Sequence, residues 1–149
     1  EIFDQTEDEL FFFDCDHKKR FYLLWSGSKE NTLSRLPNYA ATVFLLSADE
    51  KLWEKTRRQM SDTGIYFNQV RLGSVTLEQY ILFHAAKDAY HGTKHIRLSE
   101  LTDRELVPDE ILRLIVNAFV IERYGMDIVE QKMCEEILEE RNYTVLAQS

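Results

Sequence analysis

Apolar residues recur along most of the chain at intervals of three and four, the spacing that gathers side chains on one face of an α-helix. After the run Phe11-Phe12-Phe13, either Asp14 or Asp16 is suited to cap a helix reaching about Trp25. Phe21, Leu24 and Trp25 fall on its buried side, and Ser26-Gly27-Ser28 ends it. Pro37, at a first helical position, opens a second helix through Leu46. Ala40, Ala41, Val43, Phe44 and Leu45 leave that helix little polar face, which predicts deep burial. Ser47-Ala48-Asp49-Glu50 has the form of a capping box and predicts a third helix through about Met60. Leu52, Trp53 and Met60 then point inward, and Gly64 stands near the C-terminal end.

From Ile65 to Leu72 the period changes to alternation, in Ile65-Tyr66-Phe67 and Val70-Arg71-Leu72, which suits a strand or small hairpin. Ser74 or Thr76 starts the next helix, which runs through Tyr90 and stops at Gly92. Residues 93–107 read as a connector with one helical turn near Leu101. Pro108 opens the most apolar helix, whose Leu112, Leu114, Ile115, Val116, Ala118, Phe119, Val120 and Ile121 surround almost its whole circumference, and Gly125 caps it. A last helix, about Met126 to Arg141, carries a stripe of Val129, Met133, Cys134, Ile137 and Leu138. The expected fold is therefore mainly α. It is a compact bundle of five to six helices around a central apolar helix at 108–124, with one small β-hairpin near 65–72. A single helical domain over 1–149 is expected, with 1–10 loosely held.

Composition agrees with a packed helical core. Hydrophobic residues make up 44%, and five Gly and two Pro are too few for a many-stranded sandwich or barrel. At this length roughly 70% of the unfolded surface can be buried, so no metal or disulfide staple is needed. The longest apolar run, Leu114 to Ile121, is interrupted by Asn117 and is too short to cross a bilayer. The acidic start lacks the basic region of a secretory signal. Cys15 and Cys134 lie far apart in sequence and read as two free thiols of a cytoplasmic protein.

The net charge of −8 is unevenly placed. Residues 1–16 hold seven acids and no Lys or Arg, residues 17–125 hold sixteen basic and thirteen acidic residues, and residues 126–149 hold two basic and six acidic ones. Both ends are acidic and the middle is mildly basic. Direct nucleic-acid binding, which draws on concentrated Lys and Arg, is disfavoured.

Three stretches, Tyr39…Phe44-Leu45-Leu46-Ser47…Leu52-Trp53, Leu82…Ala85-Ala86…Ala89-Tyr90-His91-Gly92 and Ile115-Val116-Asn117-Ala118…Tyr124-Gly125, resemble a family of small proteins found in Gram-positive bacteria and their conjugative or phage-like elements. The likeness spans about residues 11–125, and most of its markers are core positions and helix stops. It implies a bacterial cytoplasmic setting and an origin on a mobile element; the family has no established activity to carry over.

Candidate chemistry is sparse. His84, Asp88 and His91 fall at i, i+4 and i+7 on one helical face, with His95 shortly after, a spacing at which imidazole and carboxylate ligands converge on a metal. The bland alternative is a half-buried His84 with a satisfied nitrogen. Asp14-Cys15-Asp16-His17 groups two carboxylates, a thiol and an imidazole, but neighbours on a helix point about 100° apart and capping explains the acids better. Lys18-Lys19-Arg20-Phe21-Tyr22 reads as an amphipathic helix with solvated basic heads rather than a stacking platform. Asn117, amid apolar neighbours, calls for a backbone partner. No Walker loop, GxGxxG or GxSxG is present.

The sharpest functional hint lies near the C-terminus, where Glu135/Glu139 and Glu136/Glu140 are like-charge pairs at i, i+4. With Glu130 they form a candidate surface for a basic protein partner, steered by long-range attraction. The leading expectation is thus a non-enzymatic acidic protein-binding module without a cofactor. By analogy with small inhibitors of mobile elements, its finer form is an anti-CRISPR-like inhibitor or regulator of a nucleic-acid-binding system. The alternatives are a metal-dependent enzyme or metal-binding module using His84, Asp88 and His91, and a structural or homo-oligomeric protein docking through Val129, Met133 and Ile137.

Overall fold

The computed structural model describes residues 11–27, 36–61 and 63–125. The expected helix at 126–141, with Glu130, Glu135, Glu136, Glu139, Glu140 and Cys134, lies outside these residues, as does the segment 1–10. Six α-helices and one two-stranded antiparallel hairpin make up the described chain. They are α1 (Cys15–Gly27), α2 (Pro37–Leu46), α3 (Glu50–Thr56), β1 (Met60–Ser61), β2 (Gly64–Ile65), α4 (Leu77–His91), α5 (Leu98–Leu101) and α6 (Asp109–Tyr124). Among the described residues no helix is long and apolar enough to cross a membrane.

Cap chemistry sets most of the boundaries. The Asp14 carboxylate accepts from the His17 amide at 2.7 Å and starts α1. Pro37 opens α2 and Ser47 closes it. Thr76 and Gln79 form a reciprocal capping box at the start of α4, and Gly92, at φ 71°, ends that helix in the left-handed region. Pro108 precedes α6 and Gly125 follows it.

Two expected boundaries move. The Ser47–Glu50 capping box does not form: Ser47 Oγ turns back to the Phe44 carbonyl at 3.2 Å, and Asp49 caps α3 by accepting from the Leu52 amide at 2.9 Å. The same Asp49 oxygen accepts from Gln79 Nε2 at 3.0 Å, so the cap also ties α3 to α4. The third helix stops at Thr56, a 3₁₀ turn covers Arg57–Gln59, and Met60 and Ser61 pair with Ile65 and Gly64. The hairpin therefore lies at 60–65, just before the alternating stretch that suggested it, and Gly64 is a strand residue rather than a helix cap. Beyond it, Phe67–Gln69 is a 3₁₀ turn.

The centre of the bundle is α2. All of Tyr39 to Leu46 are buried, and the helix packs against both α4 and α6. The expectation that 108–124 is central and apolar all round is corrected. α6 buries Ile111, Leu114, Ile115, Ala118 and Ile121 on one side, while Val116, Phe119 and Tyr124 are exposed by 47%, 50% and 61%. Thr42 and Asn38 reach from α2 to the Ala86 and Tyr90 carbonyls of α4 at 3.4 and 3.2 Å. Asn117 takes its expected structural role, donating to the Arg113 carbonyl at 2.7 Å and accepting from the Phe11 amide at 2.7 Å, which pins the segment that carries Phe11, Phe12 and Phe13 to α6.

Candidate functional site

α4 carries the chemistry that the sequence singled out. Its C-terminal turn ends at Gly92, and the chain then folds back over the helix. Asp88 holds that return: its carboxylate accepts from Thr93 Oγ1 at 2.5 Å, from the His95 amide at 3.0 Å and from the Ile96 amide at 2.8 Å. Partial burial pushes the Asp88 pKa up, but the three donors together outweigh it and hold the carboxyl below its ordinary value. Three donors on one carboxylate fix four residues of loop.

The fixed loop sets the His95 ring over His84, with centroids 4.0 Å apart and planes 23° from parallel. Tyr80, one turn earlier, packs 4.2 Å from the His84 ring and brings its hydroxyl to 3.4 Å from His95 Nε2. Nδ1 of His84 is buried and finds no hydrogen-bond partner among the described residues. Burial, the neighbouring His95 and Lys87 lower the His84 pKa in that order, against the opposing pull of Asp88, so this ring stays neutral at ordinary pH. Leu77, three residues before Tyr80, and Leu98, three residues after His95, are exposed, Leu98 by 77%.

The expected metal set His84, Asp88 and His91 is not gathered into one ligand cluster. Asp88 spends its oxygens on the loop, His84 stacks on His95, and His91 turns its edge to Phe67 at 5.6 Å and to Tyr90 at 5.0 Å. Among the described residues no group of three or more His, Cys, Asp or Glu side chains is placed to hold a metal. Helical spacing put the three on one side of α4, but each side chain leaves the helix toward a different neighbour. Tyr80 was legible from its position four residues before His84. His95 was not, because its place depends on a loop fold that Asp88 and Gly92 impose.

The Asp14–His17 group separates likewise. Cys15 is an exposed free thiol, whereas His17 is fully buried. Its Nδ1 accepts from the Phe13 amide at 3.0 Å, so Nε2 carries the proton and donates to the Phe44 carbonyl at 2.8 Å. In the basic run after it, Arg20 donates to the Ser47 carbonyl at 2.8 Å at the C-terminal end of α2, and Phe21 is buried against Phe44. These residues fasten α1 to α2, as an amphipathic helix does.

Comparison with known proteins returns no matching family model, no matching curated protein and no matching solved structure. The reading of the site rests on its own geometry.

Proposed function

We propose that this chain is a non-enzymatic protein-binding module whose recognition surface includes the Tyr80–His84–His95 patch. The observation that carries the reading is the preorganisation of that patch. Three rings are in mutual contact, and the loop that brings His95 to them is held by the Asp88 carboxylate with its three donors. Rigid aromatic groups lose little side-chain entropy on binding and pair an apolar body with a polar tip, which is why tyrosine is enriched among interface hot spots.

The acidic residues Glu130, Glu135, Glu136, Glu139 and Glu140 supply the long-range part: they favour a partner with a basic surface and speed its approach. The resemblance to proteins of mobile elements supports the finer reading of an inhibitor or regulator of a host nucleic-acid-binding system.

Affinity capture from the source cell, run in parallel on three proteins, tests the proposal. The wild type is expected to retain a partner. A Tyr80→Ala/His95→Ala variant and a Glu135→Lys/Glu136→Lys/Glu139→Lys/Glu140→Lys variant are expected to lose it while keeping their helical circular dichroism. Equal retention by all three proteins refutes the reading.

A further inference from the structure

The outer face of α6 carries a regular row of apolar side chains with a charge at each end. Asp109, Leu112, Val116, Phe119 and Arg123 succeed one another at alternating steps of three and four residues, which places them in one stripe about 80° wide. This stripe lies opposite the buried side made by Ile111, Leu114, Ile115, Ala118 and Ile121. Val116 is 47% and Phe119 50% exposed, and Leu112 is only partly buried. Contiguous exposed apolar side chains on one face are the kind of surface that a partner covers.

The charges at the ends of the stripe say what fits it. Asp109 and Glu110 open the helix and Arg123 closes it. Asp109 and Arg123 each stand seven residues from Val116, on opposite sides of it. Seven residues of helix span about 10.5 Å. A second α6 laid antiparallel, with Val116 on the symmetry axis, therefore sets the acidic start of each helix beside Arg123 of the other, twice over. A parallel arrangement puts like charges together. The face is complementary to itself under a two-fold rotation, the requirement for an isologous dimer, and the stripe has the spacing of a helix–helix seam.

We infer that the chain forms a two-fold dimer in which the outer stripes of two α6 helices pack antiparallel about Val116. The stripe shares no residue with the Tyr80–His84–His95 patch, so the inference stands independently of the proposed function.

Sedimentation equilibrium of the full chain between about 5 and about 500 μM, the range in which modest interfaces assemble, is the test. The wild type is expected to show a concentration-dependent monomer–dimer equilibrium, and Val116→Lys to raise its Kd about tenfold or more with unchanged circular dichroism. Arg123→Glu alone weakens the dimer, and Asp109→Lys/Arg123→Glu restores it toward the wild-type Kd. A wild type that stays monomeric throughout overturns the inference, and a Val116→Lys variant that lowers the melting temperature of that monomer assigns the face to residues 126–149 of the same chain instead. A dimer indifferent to Val116→Lys, or a double variant no stronger than Arg123→Glu, overturns it as well.

Discussion

His17 is a core residue that happens to titrate. Burial, with a smaller contribution from Arg20, brings its pKa down from 6.5 to about 4, against the opposing influence of the Phe44 carbonyl and Asp14. The hydrogen bonds give the same direction a local cause, since protonating Nδ1 sets one N–H against the Phe13 amide that it now accepts from. Between pH 6.5 and 4 the unfolded chain binds a proton at this position and the folded chain does not. Stability is therefore present above about pH 6.5 and lost as pH falls toward 4, by up to about 3 kcal/mol from this group. Urea unfolding of the wild type and of His17→Gln at about pH 7 and about pH 4.5 measures it: the wild type is expected to lose more stability on acidification. Asp88→Ala removes the acceptor for three donors and is expected to cost about 1–2 kcal/mol. Hydrogen exchange at the His95 and Ile96 amides is expected to accelerate with it, while the α2 amides stay protected. Neither role was legible from residue type. A sequence shows that a histidine sits among aromatics, but not that Phe13 and Phe44 offer it a donor and an acceptor from two separate segments.

Elements whose ends are set by local chemistry were legible. Pro37, Gly92, Pro108 and Gly125 bound their helices where the sequence placed them, and of the two starts it offered for α4, Ser74 and Thr76, the structure takes Thr76, because a cap acts within a few residues of itself. The start of α3 was misread for the same reason turned round. Ser47 and Asp49 both have capping side chains, and the choice falls to Asp49, which Gln79 of α4 also engages. The hairpin shows a second such decision. Gly64 has φ 147°, and the Tyr90 hydroxyl of α4 lies 2.6 Å from where a Cβ would stand while accepting from the Ile65 amide at 3.2 Å. Gly64→Ala thus strains the backbone and displaces Tyr90, and is expected to cost about 1–3 kcal/mol. Gly73, at φ 60° with no atom within 4 Å of its Cβ position, combines a milder left-handed strain with no side-chain contact. Urea midpoints of Gly64→Ala and Gly73→Ala are expected to fall in that order, the first lower; equal midpoints remove the argument for the Tyr90 contact.

For the whole molecule, which helix lies at the centre is a question of neighbours rather than of composition. α6 carries the longer apolar stretch, yet a helix is central only when covered on all sides, and that place falls to the shorter α2 between α4 and α6. Small residues make this geometry possible: Ala41, Ala86 and Ala118 are all at or near full burial, so the helices approach closely, and Thr42 reaches the Ala86 carbonyl across the seam. Ala86→Leu adds three carbons where there is no space and is expected to cost about 1–3 kcal/mol by forcing α4 off α2. Because α2 also supports α6 and, through His17 and Arg20, α1, the loss is not confined to one seam. Urea unfolding followed by tryptophan fluorescence and by circular dichroism is expected to give coincident curves with a lowered midpoint and an unchanged slope, the signature of one cooperative unit. Leu98→Ala, at a side chain 77% exposed, is expected to stay within about 0.5 kcal/mol of the wild type. If the two probes separate in Ala86→Leu, α4 unfolds by itself and the layers around α2 are stabilised independently.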